Sequence, residues 1–551
     1  MAAGWAVSGC GEGKALSLPD NPFQGISLPG FLGGGNSHEK PSRRVAVGYR
    51  PRATAYPDSA PFDPTEEYPE YPYDERLGAT AIANESYALV RDALRAWNPA
   101  GYGSAAWNPL SSTIRPGDTV LVKPNLVWED WWDRSRVGLC TSHGSTTRAV
   151  IDYVYKACGR SGRIIVCDGT ANTWAWPTVV RATQIDRLVE HLREAHGVPV
   201  QLLDLNAARE SALLIKLGKD SAHYGLDHTL FDLHDRPDWH TANFGPGSYY
   251  ISPTVFQADV VISLAKMKVH RMAGVSAAMK NLFGIIPSWD GPYGDDRLKD
   301  VPHYSALDKK EGNAGIYPGN DTVWRTIADL NRIALYSDQY GVLGASPRRR
   351  YLGIVDGLLA AGRDMLNPVA VPLKTLVIGE EPASVDAVAA RVMGYDPRRI
   401  KSIALAAGVD GYALGPSDAK SIELALEGAE SLAQVNDGRS IVPPDVGAYP
   451  WKGHIEANDF APPILVEAST VNSQITVKLE DDSGVQFARI RYTSAGRRYD
   501  KELKPTGPAN TGGVWRVELD GESDLADVVL EAGDLLFNVA RYRLADLEGQ
   551  V

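Results

Sequence analysis

Cysteine is scarce in this chain. There are 4 in 551 residues, Cys10, Cys140, Cys158 and Cys167, and no two stand as C-x-x-C. The missing pair argues against a zinc ribbon or a ferredoxin-type cluster, so no iron–sulfur cluster is expected, and the sequence names no other cofactor. Cys158 closes a helical pattern and Cys167 a strand pattern, positions typical of buried or half-buried free thiols. Long apolar runs are missing as well. None approaches the ~20 residues that cross a bilayer, so no membrane span is expected. Nor is there a basic excess. Lys and Arg total 56 against 68 Asp and Glu, for a net charge of −12. That balance disfavours a nucleic-acid partner, which needs a basic face. Any cationic pocket has to be small and local. The chain also lacks a Walker sequence, H-E-x-x-H and G-x-S-x-G, and the glycines of "GFLGGGNS" lack the strand–turn–helix setting of a phosphate loop.

What is present divides the chain into three. Its length exceeds one compact core, and its hydrophobic fraction of 44% is that of a globular protein. Residues 1–41 are rich in Gly, Pro and Ser and read as a flexible leader. Within it, "AVSGCGEGKA" resembles a lipoprotein cleavage box with Cys10 as a lipid anchor, although only nine residues precede it. The match is either chance or the tail of a longer export signal. Residues 42–457 alternate short apolar strands with helical patterns: "TVLVKPNLV", a helix over "STTRAVIDYVYKAC", "RIIVCDGT", a helix over "QIDRLVEHLREAHG", "VPVQLLDLN", "ADVVISLAKMKVH", a helix over "GVSAAMKNLFG", "YLGIVDGLLA" and a helix over "SVDAVAARVMG". Strands apolar on both faces between helices predict an α/β domain, a mostly parallel sheet with helices on both faces. Residues 288–320 lack periodicity and read as a long functional loop or lid. Residues 458–551 change to β-rich runs, "ILVEAST", "SQITVKLEDD", "VQFARIRYTSAG", "RRYDKELKPTG", "VWRVELDG" and "DLLFNVARYRLADLEGQV", which predict a small all-β domain, a sandwich of immunoglobulin type.

Polar residues collect at the carboxyl ends of these strands: Lys123 and Asn125, then Asp168, then Lys266, Lys268 and His270, then Asp356. Open parallel sheets bind ligands there, so residues distant in sequence converge on one crevice. Lys266, Lys268 and His270 alternate and share a face of an extended strand. Lys280 and Asn281 belong to an apolar helical stretch where a cation is hard to place in bulk water. "CTSHGSTT" sets His143 before a helix start, a setting for an anion. Each residue alone also has an ordinary reading: a solvated lysine, a hydrogen-bonded histidine, an aspartate forming a turn. Their shared position makes them candidates. Weaker candidates are Glu129, Asp130 and Asp133 among tryptophans, and His303 in the long loop. No spacing among His143, His270, His303 and Asp168 specifies a metal, and whether one binds stays open.

These segments resemble, in order, the DUF362 family, a bacterial and archaeal domain of unknown function. The likeness spans about residues 45 to 415, and its most specific part is the K-x-K-x-H run followed by K-N-L-F-G. It implies a functional role for Lys123, Asn125, Asp168, Lys266, Lys268, His270, Lys280, Asn281, Asp356 and Asp386, the last within "GEEPASVDAVAARVMGYDP". The family name supplies no reaction. Some members carry ferredoxin-like cysteine modules, absent here, and some carry export signals, which the Cys10 box and the β-rich end favour.

The expectation is therefore an exported, extracytoplasmic enzyme acting on a small anionic ligand, carboxylate or phosphoryl. Lys123, Asn125, Lys266, Asn281, His143 and Asp356 would bind it, and His270, Lys268, Lys280 and Asp168 would carry the chemistry. Neighbouring cations depress one another's pKa, so a lysine or His270 would move a proton, with isomerisation favoured. The alternatives are a surface protein that captures an anion without chemistry, and a metal-dependent hydrolase. The sequence leaves the oligomeric state undetermined.

Overall fold

The computed structural model describes residues 41–73, 83–128, 134–171, 173–207, 211–224, 247–270, 273–288, 323–362, 368–395, 397, 400–405, 412–416, 421–430, 435, 463–471, 473–481, 485–507, 512–519, 524–534 and 539–545. The leader with Cys10, the acidic Glu129–Asp133 stretch and His303 with most of the long loop lie outside them.

The main sheet is built from β1 (Arg44–Tyr49), β2 (Thr119–Pro124), β3 (Arg163–Asp168) and β4 (Val200–Asp204). A hairpin, β5 (Leu213–Lys216) with β6 (Ser248–Ile251), stands beside it, and β7 (Val260–His270) returns to the main sheet. It is completed by β8 (Gly274–Ser276), β9 (Arg350–Gly362), β10 (Val369–Val371), β11 (Thr375–Gly379) and β12 (Glu423–Glu427). Its order is β12-β1-β11-β9-β7-β2-β3-β4, with β8 and β10 hairpinned onto β7 and β9. From β9 to β4 every pairing is parallel. On that path only β11 runs backwards, antiparallel to both β9 and β1.

Side-chain alternation along the strands divides the core. Val120, Val122, Ile164, Val166, Ile262 and Leu264 pack with helices α1 (Glu85–Trp97), α2 (Gly144–Cys158), α3 (Trp176–Thr183) and α4 (Ile185–His196). Leu121, Ile165 and Val261 point the other way, to α5 (Ala278–Asn281) and α6 (Val323–Tyr336). Ala265 and Met267 share that second face with α7 (Pro382–Val392) and α8 (Lys401–Ala404). Both faces are thus covered, as the apolar strands require. The chain steps outward from β2 through β3 to β4, then returns to the other side of β2 as β7 and β9. The gap between β2 and β7 is a topological switch point, where the strand ends leave room for a ligand.

One expected helix is not there. The stretch "GVSAAMKNLFG" spends its first residues on β8, which pairs back on β7 with His270 opposite Gly274 and Lys268 opposite Ser276. Gly274 makes the turn at φ +76°, a left-handed conformation that favours glycine. Only Ala278–Asn281 form a helical turn, followed by a 3-10 turn over Leu282–Ile285.

The C-terminal part holds two antiparallel four-stranded sheets. The first comprises β13 (Ile464–Val471), β14 (Gln474–Glu480), β18 (Gly512–Glu518) and β17 (Lys504–Pro505). The second comprises β16 (Arg497–Glu502), β15 (Val485–Ser494), β19 (Ala526–Asp534) and β20 (Val539–Arg543). Ile475 and Val477 of one sheet meet Ile490, Val528 and Leu530 of the other around Trp515, giving an all-β part with a core of its own. Strand β19 was not among the expected runs. Its Val528, Leu530 and Ala532 all face inward. Among the described residues, no helix is long and apolar enough to cross a membrane.

Candidate functional site

The strand-end residues meet at the switch point, and they are buried rather than laid open. Lys123, Lys266, Lys268, Asp168, Asp356, Asn281, His143, His270 and Asn125 are all buried. They form two ion-paired groups, Lys123 with Asp168 and Lys266 with Asp356, with Lys268 near both.

The first group hangs from β2 and β3. Lys123 Nζ lies 2.7 Å from Asp168 Oδ1 and donates to Asn281 Oδ1 at 3.0 Å and to the Pro124 carbonyl at 3.2 Å. Its ammonium therefore has two hydrogen-bond acceptors and an ion-pair partner, Asp168 Oδ1, which makes no hydrogen bond among the described residues. Asn281 is used up, since its Nδ2 donates to the Lys123 carbonyl at 2.9 Å and to Ser263 Oγ at 3.0 Å. Asp168 Oδ2 accepts the Leu126 N–H at 2.7 Å. A Cβ on Gly284 would fall 1.8 Å from Asp168 Oδ1 and 2.6 Å from Lys123 Nζ, so glycine there lets the 3-10 turn close over the pair.

The second group spans β7, β9 and the start of α2. In register, Lys266 stands opposite Asp356, and Lys266 Nζ is 3.7 Å from Asp356 Oδ2. Just beyond them the pairing slips, and Lys268 is matched with Ala361. Such irregularities re-aim side chains and are common beside functional sites. Tyr56 bridges the pair. Its hydroxyl accepts from Lys266 and donates to Asp356, 2.8 and 2.9 Å from the two carboxylate oxygens. Thr146 Oγ1 donates to Asp356 Oδ2 at 2.9 Å and the Leu358 N–H to Oδ1 at 3.0 Å. The carboxylate is thus held as an acceptor by several donors. Tyr56 also stacks on His143, with ring centroids 4.5 Å apart. His143 is the N-cap of α2, its Nδ1 accepting the Ser145 N–H at 3.1 Å. Burial drives its pKa down to about 3, with Asp356 opposing, so the ring is neutral.

Lys268 differs from both. Among the described residues its ammonium has one acceptor, the Cys140 carbonyl at 3.0 Å. Burial holds its pKa down to about 8; the charges of Lys123 and Lys266 add to the effect, and Asp168 opposes it. Burial also lowers Lys266, against the pull of Asp356. The Cys140 loop is fastened to both strand ends, for Ser142 Oγ accepts the Asn125 N–H and donates to the Leu264 carbonyl, each at 2.9 Å. Between Cys140 and Ser142, the buried Thr141 hydroxyl has no hydrogen-bond partner among the described residues.

The remaining candidates have local roles. Asn125 Oδ1 accepts the Val127 N–H at 3.2 Å. His270 Nδ1 accepts the Ala273 N–H at 3.2 Å. Lys280 is half-buried, its ammonium 5.0 Å from the centre of the Phe283 ring. Asp386 caps the short helix carrying Lys280 and Asn281, accepting the Ala278 N–H at 2.8 Å and the Met279 N–H at 3.1 Å. Burial pushes its pKa up to about 7 despite those bonds. Among the described residues there is no group of three or more His, Cys, Asp or Glu placed to hold a metal.

Tyr56, Thr146, the Cys140 carbonyl and Gly284 escaped the sequence reading. Thr146 and Cys140 lie inside "CTSHGSTT", where the hydroxyls pointed to the place without the contacts. Tyr56 sits in a Pro- and Tyr-rich loop, and nothing local marks it.

Comparison with known proteins adds a family but no activity. No curated protein matches the chain. One solved structure, an engineered protein at 1.98 Å, aligns at 10% identity over 87% of this chain and 98% of its own. Its TM-score is 0.13, so the alignment carries no argument. The model of DUF362, a domain of unknown function, matches residues 120–391, the stretch from β2 through α7 that holds nearly the whole site, and this part of the chain belongs to the DUF362 family.

Proposed function

We propose that the switch-point site binds a small oxyanion, carboxylate or phosphoryl, against Lys268, and that Lys268 moves a proton to or from the bound molecule. The observation that carries this reading is the grading of the three lysines by their acceptors. Lys123 is ion-paired with Asp168 and bonded to two further oxygens, and Lys266 is held by Tyr56 beside Asp356, while among the described residues Lys268 is a buried ammonium with one carbonyl. A buried cation without a counter-charge is costly, and an anion relieves the cost. Three lysines against two aspartates leave a formal excess of one positive charge among these five groups, matched by a monoanion. A lysine with a pKa near neutrality is suited to general acid–base work, which favours proton abstraction beside a carbonyl, or isomerisation. Lys123, Asn281 and Asp168 then serve as the frame, and Lys266, Tyr56 and Asp356 as a fixed polar wall.

The test measures binding of acetate and inorganic phosphate by calorimetry across the titration of Lys268. Affinity is expected to fall as pH rises through about 8, where the ammonium is lost. K268M should abolish binding. K268R keeps the charge with a pKa too high for proton transfer, so it should bind yet fail to catalyse deuterium exchange at carbon beside the carboxylate of small 2-oxo and 2-hydroxy acids. Undiminished binding in K268M sinks the site. Binding without exchange in the wild type leaves capture without chemistry as its function.

A further inference from the structure

A second buried cation, on the far side of the sheet from Lys266 and Lys268, also keeps unmet donors. Arg332 lies on α6, buried at 0% exposure. Its Nη1 donates to the Asp220 carbonyl at 3.0 Å and to Asp329 Oδ1 at 3.3 Å, while Nε and Nη2 have no acceptor among the described residues. Those two atoms are the side-on edge of the guanidinium, whose parallel N–H groups fit the two oxygens of a carboxylate. The nearby carboxylate is not free to turn towards them. Asp329 Oδ2 already accepts from Ser221 Oγ at 2.5 Å and from the Tyr249 hydroxyl at 2.8 Å, and Oδ1 accepts the Ala222 N–H at 2.7 Å. A buried guanidinium with two unmet donors next to a saturated carboxylate calls for an acceptor that the described residues do not supply.

We infer that the Nε/Nη2 edge of Arg332 is a binding site for a small planar oxyanion of the carboxylate class, separate from the switch-point site. Formate, the smallest such anion, meets both donors at once and needs the least room. The thermal melt of the full chain is followed with increasing sodium formate, against sodium chloride at equal ionic strength. A ligand held only by the folded state gives a saturating rise in melting temperature. That rise is expected for formate in K268M, which removes the switch-point site, and is expected to be lost in the double variant K268M/R332K, where lysine keeps the charge without the planar edge. The inference fails if formate behaves like chloride in K268M, or if K268M/R332K responds like K268M. A wild-type crystal soaked in formate decides the matter even if the double variant does not fold. Planar density bridging Nε and Nη2 supports the site, and two separate water peaks overturn it.

Discussion

Lys268 bears on stability as well as on binding, because its pKa is set by its surroundings. Its value of about 8 in the folded chain lies below the ordinary 10.5, mainly through burial. The group therefore opposes folding in full below about 8. Above that, the folded chain releases the proton while the unfolded chain keeps it, so stability rises with pH until about 10.5. The shift corresponds to about 3 kcal/mol on the charged form, from which the lost bond to the Cys140 carbonyl, roughly 1 kcal/mol, is subtracted in a variant. K268M is accordingly expected to be more stable than the wild type by about 2 kcal/mol near neutral pH. The difference should shrink steadily as the pH rises through that window. Denaturant unfolding at a series of pH values measures both curves. A K268M chain that is less stable throughout would mean that the ammonium is better solvated than its single acceptor implies.

At the scale of elements, the site depends on short pieces that meet through backbone contacts. The helical turn Ala278–Asn281 is too short to hold itself, since helix nucleation is unfavourable. It is held from α7 by Asp386, whose carboxylate accepts its first two N–H groups. D386A leaves both amides buried without an acceptor. The expected cost is roughly 1–3 kcal/mol, with faster hydrogen exchange at Ala278 and Met279 and, through Asn281, a loosened Lys123. Unchanged exchange at those amides would show that the turn is fixed by other contacts. This scale also shows where sequence reading succeeds and where it stops. The strands β2, β3, β7 and β9 were legible because each is a continuous apolar run closing on a polar residue, and β–α alternation makes such ends converge. The turn at Gly274 was not, because "GVSAAMKNLFG" has helical composition and only the pairing of β8 on β7 overrides it. Nor was the grading of the lysines legible. Strand alternation puts Lys266 and Lys268 on one face, but the slip in register after Lys266 sets their separate partners. Tyr56 reaches Lys266 across a sequence separation of 210 residues, which no local pattern announces.

In the molecule as a whole, the hydrophobic cores fall into two families. Three clusters clothe the main sheet, and the fourth, around Trp515, draws its buried residues from the β-rich end alone. A core that borrows no side chains from its neighbour has the means to unfold as its own cooperative unit. The strand-end lysines, by contrast, are fastened through α2, β9 and α7 to every layer of the main sheet, so their opening requires that sheet to come apart. Hydrogen exchange of the intact chain at increasing denaturant should therefore show two steps. Peptides covering β14, β15, β18 and β19 are expected to lose protection together, at one concentration. Peptides covering β2, β3, β7 and β9 should lose it together at another. If acetate binds at Lys268, saturating acetate moves only the second step, since linkage stabilises the unit that holds the ligand. A single shared transition, shifted as one by acetate, would show instead that the β-rich end and the ligand-binding sheet fold as one cooperative body.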